Sequence, residues 1–201
     1  PISQMGPLST VLCAGLALLP ACHSNRMSLP SPSTEPVARF ELSSLGSIRH
    51  WLIAGPRTTR YDGPPGPDNV RRRDALDYST ATPPASAALG GPGPAGSLWN
   101  FHDPGRNEFV EFSTFYQEPT VVDYYAFTQI EAPQAGEWTV RLWVAGAADL
   151  WVNGRHATRL NVTRYRNPDS QPVTLPLKKG LNRLCVRLQC LGLRDTRILF
   201  G

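Results

Sequence analysis

Lysine is nearly missing from this chain: Lys178 and Lys179 are the only two, so arginine supplies 18 of the 20 basic residues. Charge as a whole is sparse, at 18% of residues with a net of +4. A nucleic-acid backbone wants several cations on one regular face with aromatics between them, and no stretch offers that. The one dense basic run, Arg71-Arg72-Arg73, is followed at once by Asp74 inside a Pro/Gly-rich segment and reads as a solvated loop. Nucleic acid is therefore not an expected partner. Histidine is limited to four residues without ligand spacing, which gives zinc no foothold. Neither a GxSxG elbow nor a phosphate-binding glycine loop occurs. The longest apolar stretch, residues 8–19, is too short to cross a bilayer, which takes about 20 residues. After residue 46 no convincing amphipathic helix appears either.

What the chain does have is turn chemistry and β-rich runs. Pro 20 and Gly 17 favour many turns. "EFVEFSTFY" (108–116), "VVDYYAFTQI" (121–130), "EWTVRLWV" (137–144) and "DLWV" (149–152) are rich in β-branched and aromatic residues. "RHATRL", "QPVTLPL", "LNRLCVRL" and "TRILF" continue the series. Asn153-Gly154 lies between two of these runs. It is the favoured pair for a type I′ hairpin, because both central residues need positive φ. "LKKGLN" does the same job with Gly180. Strand-like segments spaced by turns predict an all-β antiparallel sandwich.

Three regions follow from composition. Residues 1–23 read as an export signal, disordered or helical, in which "LLPAC" resembles a bacterial lipoprotein cleavage box with Cys22 as the lipidated residue. No Lys or Arg precedes its apolar run, and Pro20 departs from the box. A Ser/Pro-rich tether fills 24–45, and the sandwich occupies 46–201 with a long irregular insertion at 57–97, where breakers such as "DGPPGPDN" end all periodicity. The expected address is exported: either secreted, or held at the envelope by a lipid anchor alone. Cys185 and Cys190 lie in one alternating run, about 16 Å apart along an extended strand. A disulfide needs Cα atoms within about 7 Å, so the two are expected to stay unpaired, or only one of them to pack inward.

The ordered block "GEWTVRLWVAGAADLWVNGRHA", then "QPVTLPLKKGLNRLCVRL", resembles the jelly-roll modules attached to bacterial glycoside hydrolases. It is similar both to galactose-binding-like domains and to the PA14 family. "WLIAGP", "LWNF" and "VDYYAFTQI" fit exported bacterial proteins that open with such a module, and the match covers about residues 48–200. The resemblance implies a jelly roll and a chain that is the front piece of a longer protein, with a larger, often catalytic, region downstream. Many relatives carry an acidic pair where this sequence has Ala145-Gly146. In the PA14 family such acids coordinate calcium, so the resemblance implies no metal site and no cofactor here.

A glycosidase needs two carboxylates across a sugar. The acids Asp103, Glu108, Glu111, Asp123, Glu131, Glu137 and Asp149 show no such signature, and at strand ends or exposed strand positions they read as solvated. Aromatic rings are better candidates for ligand contact, because a sugar's apolar face stacks on an exposed ring. If Trp138, Val140 and Leu142 face the core, then Thr139, Arg141 and Trp143 share the other face. Trp143 with Arg141 is the expected platform, with Trp151, Tyr165, Arg166 and Trp99 as further candidates. The first expectation is thus a non-catalytic module that contacts a glycan or serves a carbohydrate enzyme. A structural module that positions a neighbouring domain at the cell surface comes second, and a glycoside hydrolase fragment last.

Overall fold

The computed structural model describes residues 9–12, 38–62, 83–103, 105, 107–112, 114–162, 169–196 and 199–201. Tyr165, Arg166, Cys22, most of the expected export signal and the middle of the insertion lie outside the described residues. Among the described residues eleven strands account for nearly all regular structure: β1 (Ser9–Leu12), β2 (Ala38–Glu41), β3 (Trp51–Arg60), β4 (Asn100–His102), β5 (Val110–Glu111), β6 (Thr114–Ala132), β7 (Gly136–Val152), β8 (Arg155–Val162), β9 (Asp169–Leu177), β10 (Gly180–Thr196) and β11 (Leu199–Phe200). Every strand pairing is antiparallel, so the chain is the all-β sandwich that its alternation predicts. No helix among the described residues is long and apolar enough to cross a membrane.

The first layer is built on a ladder between β6 and β10 that runs from Gly180↔Ala132 to Thr196↔Thr114. Strands β3 and β1 take the other edge of β6, at residues 120–127 and 129–131. The second half of β7 pairs β10 and β8. The second layer is smaller: the first half of β7 pairs β9 from Gly136↔Leu177 to Val144↔Asp169, and β11 joins it to β5. Strand β7 therefore belongs to both layers. Its partners change around Gly146, which has φ +113 and would place a Cβ 3.1 Å from the Gln189 carbonyl oxygen. The Ala145-Gly146 pair is thus a backbone bend, and Ala145 is buried at 2%. Even-numbered residues of β7 (Trp138, Leu142, Val144, Ala148, Leu150, Val152) meet Val122, Ile130, Leu175, Leu184, Val186 and Phe200 in the main core.

Asn153 (φ +51) and Gly154 (φ +83) close the β7–β8 hairpin, both in the left-handed region as a type I′ turn requires. Asn153 also ties that turn to the next one. Its amide donates to Asn182 Oδ1 at 2.9 Å, while Asn182 accepts from the Lys178 amide and donates to the carbonyls of Lys178 and Gly180. Asn182 is wholly buried, and these bonds satisfy it.

Three boundaries differ from expectation. Ser9–Leu12 is a strand between β2 and β6 rather than a helical or disordered piece, because its backbone pairs the edge of β6 left open beyond β3. Ala38–Glu41 is likewise sheet, not tether. Strand β3 continues to Arg60 past the Gly55-Pro56 breaker, since a bulge between Ala54 and Arg57 absorbs it, so the insertion begins later than residue 57. Cys185 and Cys190 are both buried, and no disulfide joins them. Their odd separation puts them on opposite faces of β10, each under a different apolar cluster.

Gly146→Ala forces a Cβ onto a positive-φ bend and is expected to cost about 1–3 kcal/mol, read as a lower urea midpoint. Burial pushes the Cys185 thiol up to about 12. Iodoacetamide at pH 8 should leave its peptide unmodified in the native protein and alkylate it in urea, as judged by mass spectrometry; native labelling would refute the burial.

Candidate functional site

The alternation of "EWTVRLWV" settles which face each side chain takes. Trp138 and Leu142 are each buried at 7%, whereas Glu137, Thr139 and Arg141 are exposed and Trp143 is 36% exposed. Across the ladder, Ser170 lies opposite Trp143, Pro172 opposite Arg141 and Thr174 opposite Thr139. The outer face of the small sheet is therefore a flat strip carrying one indole, one guanidinium and several hydroxyls. Arg141 Nη1 donates to Ser170 Oγ at 3.0 Å, which steadies the guanidinium over the sheet. Phe109 meets Trp143 edge-on at 70° with centroids 6.0 Å apart, bracing the indole from one side. Sequence reasoning missed Phe109 and Ser170, although the period-2 pattern of "DSQPVTLPL" sets Ser170, Pro172 and Thr174 on one face.

Beside this strip opens a cleft of about 600 Å³ between the two layers. Its floor is apolar, with Trp51, Leu142, Leu175, Leu184, Val186 and Phe200 among its lining residues. Glu108 and Ser43 meet near the rim, where the serine hydroxyl donates to the carboxylate at 2.5 Å. The hydroxyls of Ser43 and Ser47 hold the Glu108 carboxyl below its usual range. Glu108 is the one carboxylate among the described residues that line the cleft.

Trp99 and Trp151 do not belong to this site. They are buried at 1% and 3% in a second apolar cluster on the far face of the large sheet, with Leu52, Ala54, Ala87, Phe127 and Cys185. The irregular segment at 83–99 covers that face: Arg183 donates to the Ala85 carbonyl at 2.6 Å, and Trp99 packs edge-on against Phe127. Neither ring can stack a ligand without displacing this cover. Trp151 also lines a small cavity of about 230 Å³ beneath residues 83–85.

Two acids expected to be solvated are instead buried on that same face. Asp123 is 9% exposed and accepts from Arg187 Nε at 3.2 Å and Nη2 at 3.1 Å. Asp149 is 4% exposed, pairing with His156 Nε2 and Arg159 Nε at 2.8 Å each. Register explains the arrangement: Arg57 faces Asp123, Arg187 faces Asp149, and Asp149 faces Arg159 across successive strands. Opposite charges thus alternate across the sheet. His102 lies apart, against Phe112, and its neighbour Asp103 reaches His50 only at 3.9 Å. Among the described residues no three His, Cys, Asp or Glu side chains converge as a metal site would need.

No family model matches the chain, and no curated protein sequence matches it. Among solved structures it is similar to a GH31 alpha-xylosidase from Xanthomonas citri at 21% identity and a TM-score of 0.29, over 40% of this chain. That likeness spans only 9% of the xylosidase.

The buried ion pair gives a direct test. Arg187→Met leaves Asp123 without its guanidinium and should lower stability by about 3 kcal/mol in urea titrations. Adding Asp123→Asn should recover part of the loss, because the uncompensated charge goes with it.

Proposed function

We propose that the chain is a non-catalytic, carbohydrate-contacting β-sandwich module of an exported, longer protein. The observation that carries this reading is the half-exposed indole of Trp143 beside Arg141 on an otherwise flat, hydroxyl-bearing strip. An exposed ring offers a sugar's apolar face a stacking surface, and the neighbouring guanidinium and hydroxyls offer its rim hydrogen bonds. The single carboxylate among the described residues at the cleft, against the two that glycoside hydrolysis uses, supports a binding rather than a hydrolytic role. Attachment to a membrane, in this reading, runs through a lipid at Cys22 alone, and the module serves a catalytic region of the same polypeptide. The apolar cleft favours a second reading, a module that positions a neighbouring protein surface.

A polysaccharide pull-down and glycan array with the 201-residue chain, run in EDTA and again with calcium, separates the two. Calcium-independent capture of a glycan, weakened at least about tenfold by Trp143→Ala, is the expected result, equivalent to about 1.4 kcal/mol. Capture that survives Trp143→Ala puts the contact elsewhere. Failure to retain any glycan leaves the positioning module as the better account.

A further inference from the structure

We propose that the first half of β7 pairs edge to edge with the same strand of a second copy of this chain, antiparallel and centred on Thr139. The starting point is where the backbone groups of β7 point. Trp143 and Gly201 exchange both hydrogen bonds, N–H to carbonyl at 2.8 and 3.1 Å, so at Trp143 the polar groups face away from β9. By the two-residue period of an antiparallel ladder, those of Arg141, Thr139 and Glu137 face the same way. Strand β11 pairs β7 only at Val144 and Ala145, and among the described residues no strand follows it along residues 136–142.

The two edges of the small sheet are treated differently. Strand β9, on the far edge, carries Pro172 and Pro176 opposite Arg141 and Glu137, where their missing N–H groups face outward and blunt pairing. The "GEWTVRL" edge of β7 has neither proline nor lysine. An unprotected edge next to a protected one is the pattern of an edge that is used.

Charge selects the partner. Two copies related by a twofold axis at Thr139 place Thr139 opposite its own counterpart, Glu137 opposite Arg141 of the other copy, and Arg141 opposite its Glu137. All three positions are exposed, and the two opposite-charge pairs attract. The window fits as well: residues 136–142 are symmetric about 139, so the partner strand ends where Gly201 already occupies the edge. On the inner side, Trp138 of each copy meets Val140 of the other and closes over the apolar cleft. The joined sheet carries both Trp143 indoles on one face, about 26 Å apart along the strand direction.

The interface is a single ladder, so micromolar affinity is expected rather than an obligate dimer. Sedimentation velocity of the 201-residue chain from about 1 to 200 μM should show the dimer fraction rising with concentration, with a midpoint shift of at least about tenfold on Glu137→Arg. The double variant Glu137→Arg/Arg141→Glu should restore the wild-type midpoint, since it swaps the charges within each pair. Thr139→Pro removes an edge-facing N–H that β9 does not use and should leave a folded monomer by circular dichroism. A chain that stays monomeric throughout the range overturns the proposal. So does a dimer indifferent to Glu137→Arg and Thr139→Pro, which would associate through another surface. These readouts involve no glycan, so they stand or fall apart from the carbohydrate reading.

Discussion

One bend organises this molecule. Strand β7 crosses from the small sheet to the large one at Gly146, whose φ of +113 no side chain would tolerate well with the Gln189 carbonyl 3.1 Å from a Cβ. Because the strand keeps its even-numbered residues inward throughout, a single alternation from Trp138 to Val152 supplies core to both layers. A sandwich whose sheets share a strand can close at that corner without a separate connection. It gapes at the opposite end, where the cleft opens beside the first half of β7.

The large sheet is unusual in being covered on both faces. Its inner face is the main core. Its outer face carries a small apolar cluster under residues 83–99 and, next to it, the alternating row of Arg57, Asp123, Arg187, Asp149 and Arg159. The two buried acids of this row and their ion pairs stabilise less than apolar residues of equal volume would, but removing one partner is costly. Their effect is therefore to penalise wrong registers: a two-residue slip of β10 against β7 would take Arg187 from opposite Asp149 to opposite Ala147 or Trp151. The row helps to fix pairings that the β-branched runs alone leave degenerate.

Much of this was legible in the sequence, and the limits have a physical cause. Period-2 alternation placed Trp138 and Leu142 inward and Trp143 outward, because that argument needs only the pleat. Asn153-Gly154 announced its hairpin through the positive φ that few other pairs accept. Trp99, Trp151, Asp123 and Asp149 were misread for a common reason. Alternation assigns a residue to a face but says nothing of what lies above that face, and the cover here is an irregular segment over the two tryptophans and basic side chains beside the two acids. Asp149 illustrates the point: it is odd-numbered and so correctly excluded from the main core, yet it is only 4% exposed. The positive φ of Gly146 was not legible at all, because a bend within a continuous strand leaves the alternation on either side of it intact.

The small sheet meets its surroundings through two surfaces. Its outer face and the β7 edge that no described strand pairs are separate surfaces, one made by odd-numbered side chains and the other by odd-numbered backbone groups of the same residues. Glu137, Thr139 and Arg141 thus contribute to both, and a strand or a ligand engaging one leaves the other available. Had Pro172 and Pro176 been on β7 and the charged residues on β9, the blunted edge would lie over the cleft and the open one at the periphery. The observed distribution puts hydrogen-bonding capacity beside exposed apolar surface, where pairing removes both from water at once. An indole on the adjoining face then lies within one strand's length of that edge, so whatever joins the edge also extends the face that carries it.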